Sequence, residues 1–117
     1  MVEITIENLN DGIKRIRLKG SLDIEGTEKA ELQLTRFTSM EKTFVILDLG
    51  ELTLLASLGI GLIYRCLKSL RLRGGNMVIL NPQPGVALVL ERTNAAGVIP
   101  ILRDFEEARK RATAPPP

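Results

Sequence analysis

Ser57 is the residue of this chain best placed to do chemistry. It lies in the run Leu54-Leu55-Ala56-Ser57-Leu58-Gly59-Ile60-Gly61, after the strand-like Phe44-Val45-Ile46-Leu47-Asp48-Leu49 and at the start of an amphipathic helical pattern. In an open α/β sheet, functional groups collect where a strand's carboxyl end hands over to a helix N-terminus. A serine there can accept a phosphate, bind an anion, or cap the helix by accepting a first-turn N–H. Gly59 and Gly61 speak against a bare cap. Each costs roughly 1 kcal/mol relative to Ala in a helix, so they imply close approach of another backbone or of a partner surface.

Other chemistry is excluded by residues the chain lacks. It has no histidine, hence no Ser–His triad and no histidine-ligated metal. Cys66 is the single cysteine, so neither an internal disulfide nor a structural zinc site can form. Gly59-x-Gly61 resembles the start of a dinucleotide fingerprint, but Tyr64 stands where the third glycine belongs. No phosphate-binding loop ending in Gly-Lys-Ser/Thr is present, which counts against a nucleotide or small-ligand module. Asp23 and Asp48 fall near predicted strand ends, with Asp48 read simply as a strand-end residue. The expectation is a protein without catalytic groups, metal or cofactor.

The elements that must position Ser57 are legible from periodicity. Val2, Ile4 and Ile6 alternate with polar residues, and Ile13, Ile16 and Leu18 follow the turn signal Asn10-Asp11-Gly12, predicting an antiparallel hairpin that ends at Gly20. A polar connection, Ser21 to Gly26, leads to a helix of about ten residues with Thr27 as N-cap and Ala30, Leu34 and Phe37 as its apolar stripe. Strand three is Phe44–Leu49; the helix after Ser57 buries Ile60, Ile63, Leu67 and Leu70, with Cys66 on its inner face, and ends at Gly74-Gly75. Strand four is Met77–Leu80, then come a short helix from Pro84-Gly85 and a last strand, Val98–Leu102, which Pro100 confines to a sheet edge. Asp104 and Glu107 form a capping-box pattern for a final helix. The fold class is therefore α/β: one domain over 1–112, a mixed sheet with an N-terminal antiparallel hairpin and then parallel strands, and about four helices packed against it. Residues 113–117 read as a disordered Pro-rich tail.

Charge is unevenly distributed. Residues 1–50 hold 7 basic and 9 acidic side chains, while residues 51–117 hold 9 and 5. Arg65, Lys68, Arg71 and Arg73 fall in one helix that carries no acid, either as a solvated face or as a docking surface for an acidic partner. Aromatic residues make up only 3% of the chain, too few for stacking on single-stranded nucleic acid. No signal peptide or membrane-spanning run is evident, so a cytoplasmic domain is expected.

With these motifs in order, the sequence resembles STAS domains of the anti-sigma factor antagonist type. In that family the loop typically reads apolar-Asp-Ser-Ser/Thr-Gly-Leu-Gly, and the first hydroxyl residue is phosphorylated. Ser57 matches that acceptor, Gly59 and Gly61 match the glycines, and Gly20-Ser21-Leu22-Asp23 resembles the family's Gly-x-Leu-Asp. Gly74-Gly75-x-Met77, Asn81-Pro82 and Asp104-Phe105-Glu106-Glu107-Ala108 also fall where the family has similar residues. Two positions depart: Ala56 stands where Asp is usual and Leu58 where Ser or Thr is usual, both making the loop more apolar. The resemblance implies a cytoplasmic bacterial regulator of transcription, free of cofactors and not an enzyme. It would bind a serine-kinase anti-sigma factor, release a sigma factor, and be switched off by phosphorylation at Ser57, with a serine phosphatase resetting it. The implied contact residues are Asp23, Leu55, Ala56, Leu58, Gly59, Ile60, Gly61 and Arg65. No direct nucleic-acid contact or membrane insertion is implied, and the state is a monomer or weak dimer. The alternative is a non-phosphorylated STAS adaptor that regulates a lipid or anion transporter.

Overall fold

Five strands and four helices place the β3–α2 junction at one edge of a mixed sheet. The computed structural model describes residues 1–10, 12–38 and 42–114. The elements are β1 (Val2–Asn8), β2 (Ile13–Leu22), α1 (Ile24–Thr38), β3 (Phe44–Leu55), α2 (Ser57–Leu72), β4 (Asn76–Leu80), α3 (Pro84–Arg92), a short 3-10 turn (Ala95–Gly97), β5 (Ile101–Leu102) and α4 (Phe105–Thr113). The sheet order is β1-β2-β3-β4-β5. β1 runs antiparallel to β2, and every later pair is parallel. The predicted mixed α/β sheet with its antiparallel opening is thus observed. Asp11 of the turn and the prolines of the tail lie outside the described residues, and α4 runs through Thr113.

Strand alternation sorts the core into two layers. Ile16 and Leu18 of β2, Val45, Leu47 and Leu49 of β3, and Met77 and Ile79 of β4 face one way. Ala30 and Leu34 of α1, Ile60, Ile63, Leu67 and Leu70 of α2, and Val86 and Leu90 of α3 cover them. On the opposite face Ile13, Ile46, Val78 and Leu80 pack against Ala108 and Ala112 of α4. Cys66 is buried in the larger layer, and burial pushes its thiol pKa up. It behaves there as a small apolar residue.

Four local expectations are corrected. β2 continues past Gly20 to Leu22, because its parallel partner β3 supplies acceptors and donors as far as the pair Leu22–Leu55. That extension moves the start of α1 to Ile24 and lengthens the helix to 15 residues. The cap is consequently Asp23, whose Oδ1 accepts from the Gly26 N–H at 2.7 Å; Thr27 is a buried residue inside α1, its hydroxyl without a hydrogen-bond partner. The last strand is only Ile101–Leu102, since Val98 follows the 3-10 turn. As predicted, it occupies a sheet edge, and Asp104 caps α4 by accepting from Glu107 N–H at 3.1 Å.

Asp48 is the fourth correction. β3 does not end near it but runs on to Leu55, which leaves Asp48 mid-strand and buried. Its Oδ2 accepts from Arg15 at 2.8 and 3.1 Å and from Arg17 at 3.3 Å, while Oδ1 accepts from Gly50 N–H at 3.0 Å. The Arg15 guanidinium also lies 4.7 Å from the centroid of the Phe105 ring, linking β2 to the first turn of α4. Burial pushes the Asp48 carboxyl up, but the Gly50 N–H and the two arginines outweigh it and hold the pKa below the ordinary 3.8. A carboxylate with a depressed folded-state pKa contributes stability in full above its unfolded value, and that stability is lost as pH falls through the folded one. Asp48→Asn should therefore cost about 2 kcal/mol at neutral pH. Urea unfolding across a pH series should show a smaller loss of stability on acidification below 3.8 than in the parent protein.

Candidate functional site

The far end of the β2–β3 pairing builds the site. Leu22 pairs with Leu55, and the next residue, Ala56, donates its N–H to the Leu22 carbonyl at 2.9 Å. Asp23 and Ser57 follow immediately, so two helix N-termini open from the same sheet edge. The Asp23 carboxylate is occupied: the Gly26 N–H holds its pKa below the ordinary 3.8, and the Ser21 hydroxyl lies 3.5 Å from Oδ2. Its role in the fold is to cap α1.

Ser57 is different. The N-cap residue of α2 is Ala56, and no side chain makes a cap hydrogen bond there. Ser57 is the first helical residue and is exposed. Of the roles open to Ser57, the cap is thus not the one observed, and no hydrogen bond engages its hydroxyl among the described residues. The first helical hydrogen bond runs from Ile60 N–H to the Ala56 carbonyl at 3.1 Å, which leaves the N–H groups of Ser57, Leu58 and Gly59 without helical acceptors. No acid lies in this first turn. The local field favours added negative charge at Ser57.

The sequence-predicted contact residues divide by burial. Leu55, Gly59 and Ile60 are buried and support the junction from beneath; Leu58 is 44% exposed, and Ala56 and Gly61 are half-buried. Arg65 lies two turns further along α2 and pairs with Glu31 of α1 at 2.7 Å. Two apolar residues that sequence reasoning passed over stand at the same edge: Leu54 is 47% exposed and Ile24 66% exposed. Their signal was a large aliphatic side chain at each strand–helix handover. Exposed Ile24 at the start of α1, with Leu54 and Leu58 on either side of the β3–α2 junction, forms an apolar rim along this end of the sheet.

A sequence profile of the STAS domain matches residues 7–108. The chain belongs to the STAS domain family. Its similarity runs to a Bordetella bronchiseptica protein named as an anti-sigma factor antagonist, BtrV, with 26% identity over 107 residues, 92% of this chain and 91% of that protein. In fold it is similar to an anti-sigma factor antagonist from Mycobacterium paratuberculosis, with a TM-score of 0.86 at 14% identity over 97% of this chain and 96% of that one. SpoIIAA, a further anti-sigma factor antagonist, matches in its unphosphorylated form with a TM-score of 0.79 at 24% identity, covering 93% and 95% of the two chains. Its phosphorylated form matches at 0.72 and 23%, covering 93% and 98%. Among the described residues, no helix is long and apolar enough to cross a membrane.

The two glycines of the loop have separate causes. A Cβ on Gly59 would meet Leu22 Cβ and Leu55 Cδ1 at 3.0 Å and the Leu22 carbonyl oxygen at 3.2 Å, so α2 rests directly on the end of β2. A Cβ on Gly61 would meet only the Arg65 Nη1 atom at 3.6 Å. Gly59→Ala should destabilise the domain by about 1–3 kcal/mol through overpacking. Gly61→Ala should stabilise it by about 0.5–1 kcal/mol. Chemical denaturation of the two variants checks the opposite signs.

Proposed function

We propose that this STAS domain is an anti-sigma factor antagonist whose contact surface is the β3–α2 junction and whose switch is phosphorylation of Ser57. The observation that carries the reading is the exposed Ser57 hydroxyl at the start of α2, which caps no helix, with exposed Leu54 and Leu58 within three residues of it and exposed Ile24 at the neighbouring helix start. Relatives named as anti-sigma factor antagonists support the partner class, and SpoIIAA is one such protein that exists in a phosphorylated form. The partner is an anti-sigma factor with serine-kinase activity; binding it frees the sigma factor, and a serine phosphatase restores the active state.

The physical logic is one of solvation. Unmodified, the rim presents apolar side chains and one small neutral hydroxyl to the partner. A phosphoserine adds about −1.5 to −2 charge. The free N–H groups and the dipole of α2 accommodate that charge, so the helix stays formed. Burying the same charge against a partner is costly, and the complex is disfavoured. Ala56 and Leu58, where the family has Asp and Ser or Thr, deepen the contrast by making the unmodified loop more apolar.

The test is incubation with the cognate kinase-type anti-sigma factor and ATP, with the modified residue mapped by mass spectrometry. Phosphate is expected on Ser57; Ser57→Ala should bind the partner but not be modified, and Ser57→Asp should bind at least roughly tenfold more weakly. An unmodified Ser57 together with undiminished binding of Ser57→Asp would remove the switch. The exposed Leu54 and Leu58 would then stand as a constitutive contact, the arrangement suited to a non-phosphorylated adaptor of a transport system.

A further inference from the structure

The outer side of α2 carries a groove that the Ser57 surface does not use. Tyr64, Leu67, Lys68, Arg71 and Leu72 line it from the helix, and Val98, just after the 3-10 turn, closes it from the opposite side. Lys68 lies roughly 16 Å along the helix axis from Ser57. The floor is apolar, and Leu72 stands 84% exposed at its lip. The volume is about 500 Å³.

The four cations of α2 and its cap are not equivalent. Arg65 is spent on Glu31. Arg71 is fixed in place: Nε donates to Asn76 Oδ1 at 3.2 Å and Nη2 to the Val98 carbonyl at 3.1 Å. Those two bonds hold the guanidinium plane while leaving further N–H donors unused. Lys68, three residues earlier and so on the same helix face, is exposed and has no salt-bridge partner among the described residues. Among the described residues, no acidic side chain lines the groove. A pre-oriented guanidinium beside an unpaired ammonium, at the mouth of an apolar trough, matches a carboxylate attached to a hydrocarbon body.

We propose that this groove binds a small single-chain carboxylate amphiphile, with its head group on Arg71 and Lys68 and its chain against Tyr64, Leu67, Leu72 and Val98. Size favours a small ligand over a protein. About 500 Å³ falls within the range of ligand sites, whereas a standard protein interface takes about 20–30 residues a side and this groove offers six. The charge is complementary to an anion throughout.

Tyr64 is the only tyrosine and the chain has no tryptophan, so its fluorescence reports on this groove alone. Dodecanoate, titrated below its micelle concentration, should give a saturable change in Tyr64 emission. Dodecyltrimethylammonium, with the same chain and the opposite charge, should not. Lys68→Glu and Leu72→Ser alter exposed side chains, so both variants should keep the parent circular dichroism and melting transition. Each should weaken dodecanoate binding by ~tenfold or more. Equal saturation by the cationic amphiphile, unchanged affinity in both variants, or absence of a saturable response overturns the proposal. So does a Tyr64 change driven by protein concentration alone, which would give the groove to a second copy of the chain. Saturation by an acidic peptide but not by dodecanoate would give it to a protein partner and overturns the proposal equally.

Discussion

The parallel pairing of β2 with β3 is the constraint on which the rest of the structure depends. Its upper end, Leu22 with Leu55 followed by the Ala56 N–H to Leu22 carbonyl bond, starts two helices from one edge and sets Asp23 and Ser57 beside each other. Its middle holds Asp48 under Arg15 and Arg17, and Arg15 in turn touches Phe105. The same ladder therefore fixes the helices of the large layer and the single helix of the other face. Gly59 completes the arrangement by letting α2 lie on the end of β2 without an intervening side chain. The Gly59 backbone packs directly on Leu22 and Leu55, which leaves no room for an added side chain at the junction.

That constraint also separates what could be read in the sequence from what could not. The period of two in Val2, Ile4 and Ile6 and the turn residues after them specify a hairpin locally, without reference to the rest of the chain. The α2 stripe of Ile60, Ile63, Leu67 and Leu70 is equally self-contained, and all four are buried. Strand length is not local. Gly50 and Glu51 interrupt the apolar run of β3, yet the strand continues because β2 lies alongside, with register shifts between Arg17 and Lys19 and between Gly20 and Ser21. Missing that continuation put Asp48 at a strand end and the α1 cap at Thr27 rather than Asp23.

The site was legible in its centre and not in its rim. Ser57 is marked by its position between strand and helix, and its glycines by their cost. Whether Ile24 or Leu54 is covered depends on what packs over the sheet edge, which no periodicity reports. The cations of α2 carry the same lesson: by type they are alike, yet Arg65 and Arg71 are committed to different partners and only the fold distinguishes them from Lys68.

The outermost strand has a consequence of its own. β1 leaves one row of backbone groups unpaired, an open template for extending the sheet into another molecule. Two copies meeting antiparallel with full overlap would be centred on Thr5, with Ile4 of each against Ile6 of the other and Glu3 against Glu7. Like charges set directly opposite each other oppose such pairing. The alternation that gives β1 its buried face thus places a carboxylate on either side of its midpoint, and a strand that would otherwise invite its own likeness repels it.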